Sequence, residues 1–421
     1  MSSRETNGSP LPRQSRQDYI WLALMSLMLF VLLMPITSYV AALPTILPEW
    51  GLNKTQAGLV FSAYLLGYAL SALLLVPLTD RLPPRNIFLL GAVISVVAHL
   101  LFPLMANDIA SAVVLRGIAG IGFVCVYVPG LRIVAERFRG DGRGASMGVF
   151  VTAQYGANSA SLVLSGALMT AMEWRDAYLT VSLISAFSLP LAVLLLRGSR
   201  QVARPGTTGR LDFKALRNPT VRYLILGYAL HAWQLYAVRT WFPLFLVAVF
   251  VAGGADRTDA EPIAIAVAGL ALASSSIGPL MGGYLSDRMG RGISASAIFA
   301  LSGVCSWGIG WTVGWPWGAV VLIGIVYGWS TAADSAIYHS GIIEASSRDQ
   351  LGSTMAMQAF LGMAGGVVGP IVFGGVLDLA PEAHEWGLAF SGLGVLAVIA
   401  VVGLRRLRGL PESQFLADGK W

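Results

Sequence analysis

Apolar residues in this chain gather into twelve long runs, separated by intervals in which Arg, Asp, Glu, Asn, Gly and Pro concentrate. A helix that crosses a bilayer needs ~20 apolar residues, so each run is long enough to do so. The pattern predicts helices near 19–45, 56–79, 86–105, 109–131, 146–172, 177–197, 220–250, 262–285, 293–313, 317–344, 351–376 and 387–404. The longest polar interval, 198–219, falls between the sixth and seventh runs and divides the pattern into two sets of six. The expected organisation is a tail over 1–18, a first half over 19–197, a linker over 198–219, a second half over 220–404 and a tail over 405–421.

Composition agrees with this pattern. Of 421 residues, 56% are hydrophobic and 12% charged, whereas a soluble domain carries about 25% charged residues. The net charge of +6 points to nucleic acid only until the charges are located. Of the 28 Lys and Arg, 23 fall in the two tails and the even-numbered connections, all on one face of a twelve-span arrangement. Lys54, Arg175 and Arg257 lie opposite, and Arg116 and Arg239 lie inside spans. That asymmetry places both termini in the cytoplasm of a cell whose plasma (inner) membrane holds the chain, and it leaves no basic surface for nucleic acid. The first 18 residues are polar and lead into a long apolar run without a small-residue cleavage site, so no signal peptide is expected. Cys125 and Cys305 both fall within spans and offer no disulfide framework.

The two sets of six repeat one another. Asp80-Arg81 after the second span recurs as Asp287-Arg288 after the eighth, and Glu136 after the fourth recurs as Glu344 after the tenth, at offsets of 207 and 208. The expected fold is therefore an all-α membrane protein with twelve transmembrane helices in two pseudo-symmetric six-helix halves. The residues around Asp287 read Gly283-x-Leu285-x-Asp287-Arg288-x-Gly290-Arg291, and span four carries Arg116-x-x-x-Gly120-x-Gly122. Ala42-Leu-Pro44 and Ser62-Ala-Tyr64-Leu-Leu-Gly67-Tyr68 add to the set. With these motifs the chain resembles the major facilitator superfamily of secondary transporters over essentially its whole length. The first-half copy of the loop departs from the family pattern, with Val76 at the first glycine and Pro83-Pro84 in place of Gly-Arg. The resemblance implies a cytoplasmic gate built from Asp80, Arg81, Gly283, Asp287, Arg288, Gly290 and Arg291. An exposed turn whose arginines merely fix topology is the alternative reading.

An ionisable group inside a bilayer costs ~2.5–3.5 kcal/mol at mid-span and is a functional candidate by default. Here these are Arg116, His231, Arg239, Asp334 and His339, with His99 read as a packed structural histidine. At ~1.5 Å per residue, His231, Asp334 and Gln154 lie roughly 13–15 Å from the cytoplasmic interface, on one level. Arg116 and Arg239 lie roughly 10–15 Å from the outer one. His231, Leu235 and Arg239 form one ridge with Gln234 beside it, and Thr331, Asp334 and Tyr338 share a face from which His339 is turned ~140°. His339 is set aside on that ground. Span five carries a polar stripe, Gln154, Asn158, Ser161 and Ser165, which either lines a cavity or glues helices together. Its repeat partner has Thr354, Gln358, Gly362, Gly365 and Gly369, where the glycines read as close packing around Pro370.

The substrate-binding candidates are Arg239, His231, Gln234, Gln154, Asn158, Tyr39, Tyr155 and Gln358. Arg239 is either an anion receptor or a static partner. Asp334 and His231 are proton carriers or a fixed hydrogen-bonded pair. For Arg116 the family resemblance favours a structural or proton-coupling role. Tyr64, Tyr68, Tyr236 and Trp241 lie deep enough to line a cavity or simply to pack.

No metal cluster, nucleotide-cradling loop or nucleophile triad appears, so neither an enzyme nor a bound cofactor or metal is expected. The expected function is proton-coupled symport of a small organic solute, an organic anion in view of the two arginines, by a monomer in the lipid bilayer. The alternative is a proton-driven antiporter exporting amphipathic or cationic compounds. Drug-exporting relatives carry a Gly-Pro signature on span five, and its absence here weighs against that alternative. A membrane sensor with the same fold is the third reading, for which the short loops offer little docking surface.

Overall fold

The structure, a computed structural model, describes residues 14–78, 82–138, 142–197, 216–346, 351–414 and 416. Asp80 and Arg81, with most of the linker and the ends of both tails, lie outside the described residues. Eleven helices among the described residues are long and apolar enough to cross a membrane. They are Arg16–Glu49, Lys54–Leu73, Pro84–Met105, Ile109–Arg137, Trp174–Leu196, Pro219–Ala252, Arg257–Met289, Arg291–Ile309, Trp317–Ala345, Thr354–Leu379 and Glu385–Arg408. Gly142–Met169, the 28-residue helix with the polar stripe, stands fifth in order and completes the twelve. Several run past their expected ends: span four continues to Arg137, because long basic side chains let a helix extend beyond the hydrocarbon.

Five spans are interrupted, among them span six, which breaks at Phe187 between helices Trp174–Ala186 and Ser188–Leu196. Span one tightens into a 3-10 turn at Met34–Thr37, with Pro35 inside it, and span eight does so at Ala273–Ser276 ahead of Gly278-Pro279. Span ten breaks at Asp334 between helices Trp317–Ala333 and Ser335–Ala345. Span eleven contains a π turn at Gln358–Gly362. Such irregularities in membrane helices survive only where protein or a polar cavity satisfies the freed backbone groups, and they mark places to look for function.

An even number of spans puts both termini at one face, the terminal face; the opposite one is the far face. The halves meet through two helix pairs, span two with eleven and span five with eight, which exchange under the internal repeat. Small residues bring these backbones together. A Cβ on Gly58 would sit 2.3 Å from the Pro370 carbonyl oxygen, one on Gly166 2.6 Å from that of Pro262, and one on Gly269 2.9 Å from that of Ser159. The Ser62 hydroxyl donates to the Val367 carbonyl at 2.6 Å.

At the far face the closure is polar. The Asp378 carboxylate accepts from the backbone N–H groups of Lys54 and Thr55 at 2.9 and 2.8 Å and from the Thr55 hydroxyl at 2.6 Å, capping the positive end of span two. Lys54 Nζ meets Glu385 at 2.5 Å, and Thr45 donates to Glu261 at 2.6 Å. At the terminal face the described ion pairs stay within one half: Arg137–Asp18 at 2.9 Å, Arg291–Asp287 at 2.6 Å and Arg291–Glu344 at 2.8 Å. Among the described residues, no hydrogen bond or ion pair joins the halves there. The described polar contacts between the halves that close a face therefore lie at the far one.

The span-eleven glycines pack on span seven, as the spacing predicts. A Cβ would approach the Ala229 carbonyl oxygen to 1.9 Å from Gly365 and that of Trp233 to 2.6 Å from Gly369. Gly365→Val therefore forces two backbones apart and is expected to destabilise by about 1–3 kcal/mol, lowering the thermal midpoint in detergent by several degrees. Gly392→Val, where nothing lies within 4 Å, leaves the midpoint in place; equal midpoints for the two variants would contradict the packing.

Candidate functional site

Span seven supplies the central ridge, and Arg239 lies near its middle. The side chain is buried, with its guanidinium carbon 4.5 Å from the centre of the Tyr155 ring on span five and 5.8 Å from that of Tyr236. Tyr155 belongs to the other half, so the cation bridges the two. Among the described residues Arg239 forms no hydrogen bond or ion pair, and its Nη2 is sealed from solvent without an acceptor. Two aromatic faces attract a guanidinium, but they do not replace a carboxylate.

The polar stripe of span five divides in function. Ser161 and Ser165 both reach Ser38 on span one, at 3.3 and 3.1 Å, and bind helices together. The amides of Gln154 and Asn158 make no hydrogen bond with a described residue, yet neither holds a sealed polar atom, so both face the space between the halves. Around that space Tyr228 lies within electrostatic reach of Tyr68, Tyr127, Tyr155 and Tyr236, from spans two, four, five and seven. Tyr127 and Tyr228 are absent from the sequence-derived candidates. The available signal was spacing: Tyr228 precedes His231 by one turn, and Tyr127 follows Phe123, on which it packs at 5.4 Å, by one turn.

His231 and Asp334 meet as their shared level suggests, Nδ1 to Oδ1 at 2.6 Å, each with only 3% of its side chain exposed. The break in span ten makes this possible. Gly282 on span eight lies so close to Ala333 that a Cβ there would overlap its carbonyl oxygen at 1.7 Å. The helix yields at the next residue, Asp334, and its carbonyl then starts the following helix by accepting from Ile337 and Tyr338. The Tyr228 ring stacks on His231 at 5.5 Å. His339, set aside on helical phase, is exposed and lies 5.1 Å from Tyr228 ring to ring, with its Nδ1 3.1 Å from Nε2 of the buried Gln358.

Other candidates find their partners within their own half, although Arg116 keeps Nε and Nη2 sealed without an acceptor. Gln234 gives its amide N–H to Ser306 and takes the Ser302 hydroxyl, both at 3.0 Å, and Ser306 continues to Tyr327 at 2.6 Å, which ties spans seven, nine and ten together. Arg116 has no exposure; its Nη1 donates to the Ile36 carbonyl in the 3-10 turn at 2.9 Å, and the rings of Tyr39, Phe61 and Tyr64 surround it at 5.5, 5.6 and 4.7 Å. Tyr39 donates to the Ala57 carbonyl at 2.9 Å. His99 bonds Tyr178 at 3.0 Å, in keeping with a packed histidine.

In the loop motif Gly290 has φ +92°, which explains a glycine there, and Arg291 binds Asp287, Glu344 and the Ser286 hydroxyl. Asp287 keeps 69% of its side chain exposed. Arg288 lies over Tyr284 at 4.4 Å. The tight glycine is Gly282; a Cβ on Gly283 would meet nothing nearer than Ala336 at 3.8 Å.

A model of the Major Facilitator Superfamily matches residues 25–337. The chain is similar to the probable sulfoacetate transporter SauU of Cupriavidus necator, with 25% identity over 303 residues that make up 66% of this chain and 67% of that protein. It is similar to the hexuronate transporter of Bacillus subtilis, with 23% identity over 397 residues, 88% of this chain and 91% of that one. Among solved structures it resembles a bacterial homolog of the human lysosomal transporter Spinster in an inward-facing and occupied conformation, with a TM-score of 0.72 at 15% identity over 94% of this chain and 98% of the other.

The division of the stripe is testable by thiol labelling in a Cys125→Ser, Cys305→Ser background. Asn158→Cys is expected to react with a water-soluble maleimide added to the terminal face, and Ser161→Cys, held against Ser38, is not. Equal labelling would remove Asn158 from the cavity wall.

Proposed function

The chain belongs to the major facilitator superfamily, and from that premise we propose that it takes up a small organic anion together with a proton by alternating access across the inner membrane. It is a multi-pass membrane transporter and not an enzyme. The observation that carries the anion is Arg239, a buried cation between the halves with aromatic faces but no counter-ion. Leaving one charge buried without a partner costs several kcal/mol, and an arriving carboxylate or sulfonate relieves that cost with two charge-assisted hydrogen bonds. The amides of Gln154 and Asn158 and the surrounding tyrosines suit a ligand that also carries hydroxyl or carbonyl oxygens. Both relatives are named for organic anions, sulfoacetate and hexuronate, which supports the same class.

For the proton, the buried His231–Asp334 pair is the group whose charge state can change inside the protein. Distribution of the arginines supports a cytoplasmic terminal face. Among the described residues the Asp287 carboxylate pairs with Arg291 of its own half. The two halves, 19–197 and 220–404, rock as bodies on the linker at 198–219, and one chain suffices. Export of cations would require a free carboxylate in the cavity, whereas Asp334 is taken by His231 and the uncompensated charge is positive.

The test is transport into proteoliposomes with glucuronate and sulfoacetate as probes. Arg239→Lys is expected to weaken uptake roughly tenfold, the equivalent of ~1.4 kcal/mol, and Arg239→Ala to abolish it; unchanged uptake in both excludes the anion site. Asp334→Asn is expected to lose uphill accumulation driven by a pH gradient while exchange of internal for external substrate continues. Accumulation that survives in Asp334→Asn excludes this pair as the proton carrier.

A further inference from the structure

The His231–Asp334 pair is almost sealed, and a proton that leaves it toward the cytoplasm needs a way out. Five residues beyond Asp334, about 7 Å nearer the terminal face along the helix, stands His339. Unlike the pair, it is exposed. Tyr228 lies between the two sites, 5.5 Å from the His231 ring and 5.1 Å from the His339 ring, and Tyr228 itself faces the space between the halves. The groups facing His339 are Tyr228 and His231 from span seven and Gln358 from span eleven. No carboxylate pairs with it among the described residues.

We infer that His339 is the port through which the buried pair exchanges its proton with water on the terminal side. The inference rests on the pair carrying the proton. Gln358 Nε2 can only donate, so His339 Nδ1 accepts and the neutral ring keeps its proton on Nε2. That Nε2 has no hydrogen-bond partner among the described residues, and the residue itself is exposed. A proton that leaves the pair and reaches His339 on water beside Tyr228 makes the ring an imidazolium, and the proton on Nε2 departs to cavity water. One proton enters the ring and one leaves. The ring then carries its hydrogen on Nδ1, where Gln358 must turn its amide to present oxygen, so the proton's passage is felt in the π turn of span eleven.

The experiment uses full-length protein in proteoliposomes with glucuronate or sulfoacetate, comparing gradient-driven net uptake with one-for-one exchange. Net uptake requires the proton to leave at the terminal face; exchange does not. In His339→Ala and His339→Gln, net uptake is expected to fall relative to exchange by about tenfold or more, and imidazole trapped on the terminal side is expected to restore it in His339→Ala. A parallel fall in both rates, or no response to imidazole, would overturn the port. Asp334→Asn separates the two ideas. If that variant loses accumulation while both His339 variants match the parent, only the port fails; if it keeps accumulation, the pair itself is not the carrier.

Discussion

A guanidinium in hydrocarbon must find a counter-charge, and Arg239 has been given aromatic faces instead. That choice governs the rest of the cavity. With a carboxylate beside it the site would be neutral and complete; with Tyr155 and Tyr236 beside it the cation is sheltered but still receptive. The ring of Tyr155 comes from the opposite half, so anything that separates the halves also changes the cation's surroundings. The second charged site follows the opposite logic. His231 and Asp334 satisfy each other within one half.

The fold was legible because the bilayer imposes it: length, hydropathy and the positions of arginines leave little freedom in the number and direction of spans. The meeting of His231 with Asp334 was legible too, since equal depth on neighbouring helices is a geometric quantity. Helical phase was a poorer guide wherever a helix departs from a uniform 100° per residue. Span ten breaks at Asp334 and span eleven adds a π turn beginning at Gln358, so a wheel drawn through either misjudges the residues beyond. His339 and its contact with Gln358 lie across those irregularities. Gln234 shows a different limit. Its face was read correctly, but three hydroxyls on spans nine and ten absorb it, and no single-helix pattern shows what stands opposite. The far-face contact of Asp378 with the start of span two joins residues more than 300 positions apart through backbone N–H groups, which leave no mark in composition.

The two kinds of contact between the halves divide the labour. Apart from Ser62 with Val367 deeper in, the polar contacts between the halves lie at the far face: the Asp378 cap, Lys54 with Glu385 and Thr45 with Glu261. Deeper in, the helices touch through glycine and carbonyl oxygen, as at Gly58 with Pro370 and Gly269 with Ser159. Exposed ion pairs are worth little individually, so a closure made of a few of them holds without becoming irreversible.

The glycine contacts have a mechanical meaning. Interlocked side chains act as gear teeth, and parting them requires each to leave its rotamer and find another. A surface of backbone and hydrogen atoms has no teeth. Along spans two and eleven, and five and eight, the halves present such bearing surfaces, so one can roll over the other with little friction while its interior stays rigid. Bulk added at Gly58 or Gly166 would act as grit in that bearing, hindering motion between two end states that each remain well folded.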